Sequence, residues 1–296
     1  MFSLSGWFVP ILISAVALGL YDLCKKHAVD RNSVMPVLFF ATLSGTVFFV
    51  AVTALTGGLF AAAECSWRAW LLIGAKSVLV SGGWICVYYA MRELPISIAS
   101  PIRATAPFWT FIGGMLLLGE VPSLLQGAGM LVIFGGYYCF SVLGRLEGIS
   151  FSRHRGIHLI VAGTLLGSAS ALYDKFLLGS LGLPRMTVQF WFSVDLVFVL
   201  GLAYFIRKTR FRSGVPFVWR WSIPMTGVLL IAADYLYFYA ISMPDTQIAI
   251  LSLLRRCSCV VTFAAGCACF RDANVKRKAA ALALILLGVI LLALAG

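Results

Sequence analysis

The stretch at residues 250–261, "ILSLLRRCSCVV", sets Arg255 and Arg256 side by side in a run that is otherwise apolar or small. A guanidinium is permanently charged and presents a planar fork of donors that matches carboxylate and phosphate. Lys76, Arg103 and Lys175 lie in similarly apolar surroundings, as do the aspartates Asp22, Asp174, Asp195 and Asp234. Groups of this kind can recognise an ion, carry a proton or neutralise one another. Sequence patterns for other chemistry are absent: neither a P-loop nor G-x-G-x-x-G occurs, and neither H-E-x-x-H nor G-x-S-x-G. "CSC" and "CAC" lack the further His or Cys ligands that a zinc site needs. No nucleophile–base set is recognisable, so an enzyme is not expected, and neither a metal nor another cofactor is.

The elements that must position these charges follow from composition. Of 296 residues, 61% are hydrophobic and 11% charged, and mean hydropathy is +0.98. Soluble domains carry about 25% charged residues. A chain this apolar is an all-α polytopic membrane protein, because in lipid only a helix satisfies its own peptide groups without a closed barrel. The formal charge of +12 is then read as Lys and Arg crowding the loops on one side, not as a nucleic-acid surface, and no nucleic-acid partner is expected. The eight cysteines fall mostly in apolar runs and read as small buried hydrophobes.

A helix needs about 20 apolar residues to cross the bilayer. Ten segments qualify, at roughly 7–24, 34–56, 67–91, 97–119, 123–143, 157–180, 186–206, 217–241, 246–270 and 276–295. The first lacks a basic n-region and a small-residue cleavage site, and reads as a retained span. The polar connection "GRLEGISFSRHRG", residues 144–156, divides the chain into 1–143 and 157–296. The two parts resemble each other at an offset of 152: Tyr21–Asp22 pairs with Tyr173–Asp174, Arg103 with Arg255, and Glu120 with Asp272. Five spans per part is an odd number, so the second enters the membrane in the opposite sense. The expectation is ten transmembrane helices in two inverted five-helix repeats, the architecture of secondary transporters, with a site between the halves.

The stretch "YYAMRELPISIASPIRATAPFWTFIGGMLLLGE", with Pro107 thirteen residues before Glu120, resembles the EamA branch of the drug/metabolite transporter superfamily. The likeness extends over nearly the whole chain and is specific for the superfamily, not for a substrate. The second repeat departs from the pattern: Cys259 stands in the proline position and Asp272 in that of the glutamate. Plastid phosphate translocators and nucleotide-sugar transporters, relatives within the superfamily, are similar in placing basic residues on the fourth and ninth spans. That resemblance implies a phosphate-engaging role for Arg103 and the Arg255–Arg256 pair.

Charge sets the orientation. Loops 1–2, 3–4, 5–6, 7–8 and 9–10 hold sixteen Lys and Arg residues, against Arg68 and Arg185 in the opposite set. The positive-inside rule therefore places both termini outside a bacterial inner (plasma) membrane, although the superfamily resemblance implies N-in.

Within the spans, Arg255 and Arg256 are roughly 15 Å deep, beyond comfortable snorkelling, and point about 100° apart. Arg103 is roughly 10 Å deep between Pro101 and Pro107. As repeat mates, Arg103 and Arg255 should approach each other, and two guanidiniums facing one cavity repel unless an anion lies between them. The expected substrate site is Arg103, Arg255 and Arg256, with Trp84, Tyr89 and Tyr239 from "WICVYYA" and "DYLYFYA" as a wall for the organic part. Coupling or gating falls to Asp22 with Lys26 at i,i+4, to the adjoining Asp174 and Lys175, and to Asp234. The reading is a secondary transporter of a small phosphate- or carboxylate-bearing metabolite, by exchange or proton coupling. The alternatives are a lipid-phosphate flippase and an amino-acid or drug exporter of the same superfamily. The bilayer is an implied partner, and a homodimer is left open.

Overall fold

Apolar chain in lipid has to hydrogen-bond its peptide groups locally, and this chain does so as helix after helix. The computed structural model describes residues 8–118, 123–146, 149–210, 215–241, 255, 258–270 and 274–294, and no strand occurs among them. In order, the helices are α1 (Phe8–Val29), α2 (Val34–Leu55), the short α3 (Leu59–Ala63), α4 (Trp67–Glu93), α5 (Ile96–Ala104), α6 (Ala106–Leu118), α7 (Leu124–Leu146) and α8 (Arg155–Asp174). A π-helical turn, Lys175–Ser180, extends α8, and α9 (Arg185–Arg210), α10 (Ser222–Ile241), α11 (Ser258–Phe270) and α12 (Val275–Leu294) complete the order.

Four of these are long and apolar enough to cross a membrane: Val34–Leu55, Trp67–Glu93, Arg155–Leu178 and Arg185–Thr209. Gly127–Cys139, Ser222–Tyr237 and Ser258–Ala268 are shorter apolar stretches. The surface is inverted relative to a soluble domain. Val47, Phe48, Leu71, Val78, Leu131, Phe134, Phe198 and Leu202 are exposed, while Lys25, Ser77, Ser97, Thr226 and Lys278 are buried. An apolar exterior around a core that also holds buried charged and hydroxyl side chains is the signature of lipid contact, and this is a multi-pass membrane protein. Three interior threonine hydroxyls are satisfied within their own helix: Thr42, Thr164 and Thr226 each donate to the carbonyl four residues back, at 2.6–2.9 Å.

The expected fourth span, 97–119, is two helices parted at Thr105. The Thr105 hydroxyl and N–H both donate to the Ile102 carbonyl, at 2.6 and 3.1 Å. Pro107 has no N–H to give the Arg103 carbonyl, so the ladder breaks there. Of the expected ninth span, residues 246–254 and 256–257 lie outside the described residues.

The helices pack in reciprocal pairs. α1 lies on α10 and α11; α8 lies on α4 and on α5–α6. α10 packs on α2, α9 on α4, and α12 on α7. Both bounds of α11 are those of α6 displaced by 152. In the α7–α12 crossing, a Cβ on Gly136 would meet Ile285 at 2.7 Å and Ala281 O at 3.1 Å. One on Gly288 would meet Ile133 at 2.6 Å and Gly129 O at 2.7 Å, so partners on the two sides are again 152 apart.

The tightest crossing joins α2 and α10. A Cβ on Gly227 would lie 2.1 Å from the Ala41 carbonyl oxygen and 2.6 Å from Gly45 N. Small residues let two backbones approach without intervening side chains, and backbone atoms cannot step aside for a methyl. Gly227→Ala is expected to destabilise the protein by about 1–3 kcal/mol, read as a lowered midpoint of thermal unfolding in detergent. Gly135→Ala, where the added Cβ meets nothing within 4 Å, should leave it unchanged.

Candidate functional site

Near the C-terminal end of α1, Asp22 faces two cations at once. Its Oδ1 accepts from Lys25 Nζ at 2.6 Å and from Arg103 Nη1 at 2.5 Å. The break at Thr105 leaves Arg103 in the last turn of α5, where a cation is favoured by the unpaired carbonyl end of the helix. Lys25 is 0% exposed. Its ammonium lies over the Tyr21 ring, 4.2 Å from the centroid, with Tyr88 at 5.6 Å, a desolvated cation–π arrangement. One carboxylate therefore serves two cations.

Two further pairs stand apart from this group. Asp174, the last residue of α8 before the π-helical turn, forms an ion pair with Lys76 at 2.5 Å, and Lys76 Nζ lies 4.1 Å from the Phe192 ring centroid. Arg255 pairs with Asp234 and stacks its guanidinium over Tyr237 at 4.2 Å. π-Helical turns recur at functional sites, and Lys175 opens this one. Arg256 lies outside the described residues.

Between these groups lies a cavity shared by helices from both sides of the 144–156 connection. Tyr21 of α1, Thr42, Gly45 and Thr46 of α2, and Trp84 and Tyr88 of α4 line it from one side. Gln189, Phe192, Ser193 and Leu196 of α9, with Thr226, Gly227, Leu230, Ile231 and Asp234 of α10, line it from the other. Among these lining residues Asp234 alone carries a charge. The cavity measures about 40 Å³, room for a few waters and far less than the several hundred Å³ that organic ligands occupy.

The other expected site residues are placed elsewhere. Lys26 donates to the Met91 and Leu94 carbonyls at 2.6 and 2.7 Å, closing the C-terminus of α4. Tyr89 lies under the guanidiniums of Arg92 and Arg207, at 5.4 and 5.0 Å. Tyr239 is 49% exposed on α10. Lys25, Tyr21 and Tyr88 were not singled out by the sequence reading. One signal was present: Tyr21, Asp22 and Lys25 fall at i, i+1 and i+4, a spacing that can hold an ammonium between a ring and a carboxylate on one side of a helix.

At the charge-rich end the molecule is strapped shut. Asn32 donates to the Val218 carbonyl at 2.7 Å and accepts from Val218 N–H at 2.9 Å. His27 Nδ1 is 2.9 Å from Ser222 Oγ, and Arg220 donates to the His27 carbonyl. At the opposite end, Trp70 Nε1 donates to Asp195 Oδ1 at 3.2 Å and Trp191 Nε1 to the Ala63 carbonyl at 3.1 Å. Among the described residues no group of three His, Cys, Asp or Glu side chains is gathered for a metal ion.

Residues 6–142 match the EamA-like transporter family. No curated protein sequence matches the chain. A solved structure described only as "Crystal structure of protein" is similar over 99% of this chain and 98% of its own, with a TM-score of 0.68 at 16% identity. At that identity the likeness concerns the fold.

Proposed function

We propose that this chain, an EamA-family protein of the drug/metabolite transporter superfamily by residues 6–142, is a secondary transporter that moves a small organic anion by alternating access. Ten spans in two inverted repeats are supported by the reciprocal packing. Exchanging the halves turns α1 on α10 into α8 on α4, α1 on α11 into α8 on α5–α6, and α2 on α10 into α9 on α4. The 152-residue displacement shared by α6 with α11 and by Gly136 with Gly288 supports the same reading. A cavity between the halves is where such an architecture places its substrate, and its small volume suits an occluded state that must open to load. The strap at the charge-rich end argues that opening occurs first at the opposite end.

The observation that carries the anion is the sharing of Asp22. With a protonated Lys25 beside Arg103 on one carboxylate, that group holds one positive charge in excess, directly behind the Tyr21 and Tyr88 wall of the cavity. In a site of low dielectric an uncompensated charge acts strongly on whatever enters. Arg255 adds a second anchor once it leaves Asp234. A second reading, a zwitterionic amino-acid-like solute, is favoured by the Asp234–Arg255 pair itself: an ammonium on the carboxylate and a carboxylate on the guanidinium would satisfy both. No part of either reading requires catalysis, and the family matched is one of transporters.

Thermal-shift titration with phosphorylated, carboxylated, zwitterionic and cationic metabolites tests the class. Anions are expected to raise the unfolding midpoint of the wild type, with the shift lost in Arg255→Ala. Stabilisation by cations alone would overturn the anion reading. Proteoliposomes with and without internal substrate then separate exchange from proton coupling.

A further inference from the structure

Three of the buried or half-buried aspartates among the described span residues touch a cation: Asp22, Asp174 and Asp234. Asp195 does not. It lies on α9 ten residues after Arg185, roughly 15 Å along the helix, and is 7% exposed. Its Oδ1 accepts from the neutral Trp70 indole, while Oδ2 is buried with no hydrogen-bond partner. The helices packed on α9 are α2, α3 and α4. α2 and α3 carry no ionisable side chain. α4 brings Lys76, which is held by Asp174, and Arg68, which is exposed and stacks on Trp67. The segment between α3 and α4 brings the exposed Glu64 and the partly buried Cys65 thiol. Among the described residues no ion pair includes Asp195.

We infer that Asp195 is a proton-binding site that couples transport to protonation, with the proton carried on Oδ2. This rests on the transporter reading above. An ionised carboxylate without a counter-charge is expelled from such a place; a neutral carboxyl is tolerated. The surroundings suit a proton better than a metal cation. A cation needs several converging oxygens, whereas Oδ2 approaches the backbone position of Gly74, 3.8 Å from where its Cβ would be, and Oδ1 faces an N–H donor. The placement supplies the coupling. Gln189, Phe192, Ser193 and Leu196, at i, i+3, i+4 and i+7, give one face of α9 to the cavity. Asp195 lies off that face, against α4, and α4 forms the opposing wall through Trp84 and Tyr88. Loss of the proton brings water into the α4–α9 seam and parts it; protonation lets it close. Trp70 and Trp191, whose rings are 6.4 Å apart at 77°, lie over the seam at the end remote from the strap, so the proton enters from that side.

The experiment is infrared difference spectroscopy of the full chain in nanodiscs, titrated with pH. The carbonyl stretch of a protonated carboxyl should disappear as pH rises in wild type, be missing from Asp195→Asn, and persist in Asp174→Asn. Sodium chloride at fixed pH should not remove it. Hydrogen exchange corrected for intrinsic pH dependence should speed up with pH in peptides covering 67–75 and 188–198, in wild type and not in Asp195→Asn. A titrating band that survives in Asp195→Asn, its removal by sodium, or exchange indifferent to the substitution each overturns the proposal. None of these readouts uses a substrate, so absence of uptake would count against the transporter reading alone.

Discussion

Asp22→Asn is expected to cost about 3–5 kcal/mol, the penalty for breaking a buried charge pair, and to abolish the monodisperse folded species in detergent. The reason is Lys25, whose side chain is 1% exposed. Its ammonium has Asp22 at 2.6 Å and the Tyr21 ring at 4.2 Å, and a ring face cannot replace a carboxylate as the partner of a dry cation. Arg103 is in a different position, because 32% of its side chain is open and it has room to turn once released. The double variant Asp22→Asn with Lys25→Met should therefore recover most of the lost stability, since methionine keeps the volume and removes the stranded charge. Thermal unfolding followed by size-exclusion chromatography reads both. A single variant as stable as wild type, or a double variant no better than the single, would show that Lys25 is not the charge Asp22 holds.

That Lys25 escaped the sequence reading while Asp22 and Arg103 did not has a physical explanation. Burial depth and charge sufficed to single out Asp22, Arg103, Arg255 and Asp234, because a permanent charge in an apolar run must be compensated wherever the run lies. Pro107 gave notice of the break that places Arg103 at a helix end. Partner choice was not legible. Asp22 can reach Lys25 at i+3 or Lys26 at i+4 from one helix, and the decision comes from α4, whose terminal carbonyls take Lys26. The same holds for Tyr88 and Tyr89. Neighbours point about 100° apart, and only the packing of α4 against α1 and α9 turns the first to the cavity and the second to Arg92 and Arg207. The repeat offset identified Asp22 with Asp174 and Arg103 with Arg255, yet Asp22 bonds Arg103 whereas Asp174 and Arg255 bond Lys76 and Asp234. Residues matched at that offset take different partners, which no comparison of one half of the sequence with the other can foresee. Lys76 and Asp234 have no charged mates at that offset, Val228 and Gly82 standing there instead.

Those exchanged partners make Asp234→Asn the variant that separates the two substrate readings, because its effect on binding has opposite signs. For an anion, Asp234 is a competitor: it occupies Arg255, and the substrate must displace it. Removing that carboxylate frees the guanidinium, which stays in place over the Tyr237 ring. A charge-assisted hydrogen bond contributes about 1.5–3 kcal/mol, so relief of the competition should tighten anion binding by about tenfold or more. Turnover should fall at the same time, since nothing then draws Arg255 back as the substrate leaves. For a zwitterion, Asp234 is a ligand for the ammonium, and its neutral replacement should weaken binding by about 10- to 100-fold. Thermal-shift titration of the variant with the same solutes, set beside efflux from proteoliposomes, gives affinity and rate separately. Tighter binding with slower efflux identifies Asp234 as the group that releases an anion from Arg255. Weaker binding makes it a substrate ligand. Unchanged affinity for both solute classes would remove the Asp234–Arg255 pair from recognition and leave selection to the excess charge at Asp22, Lys25 and Arg103.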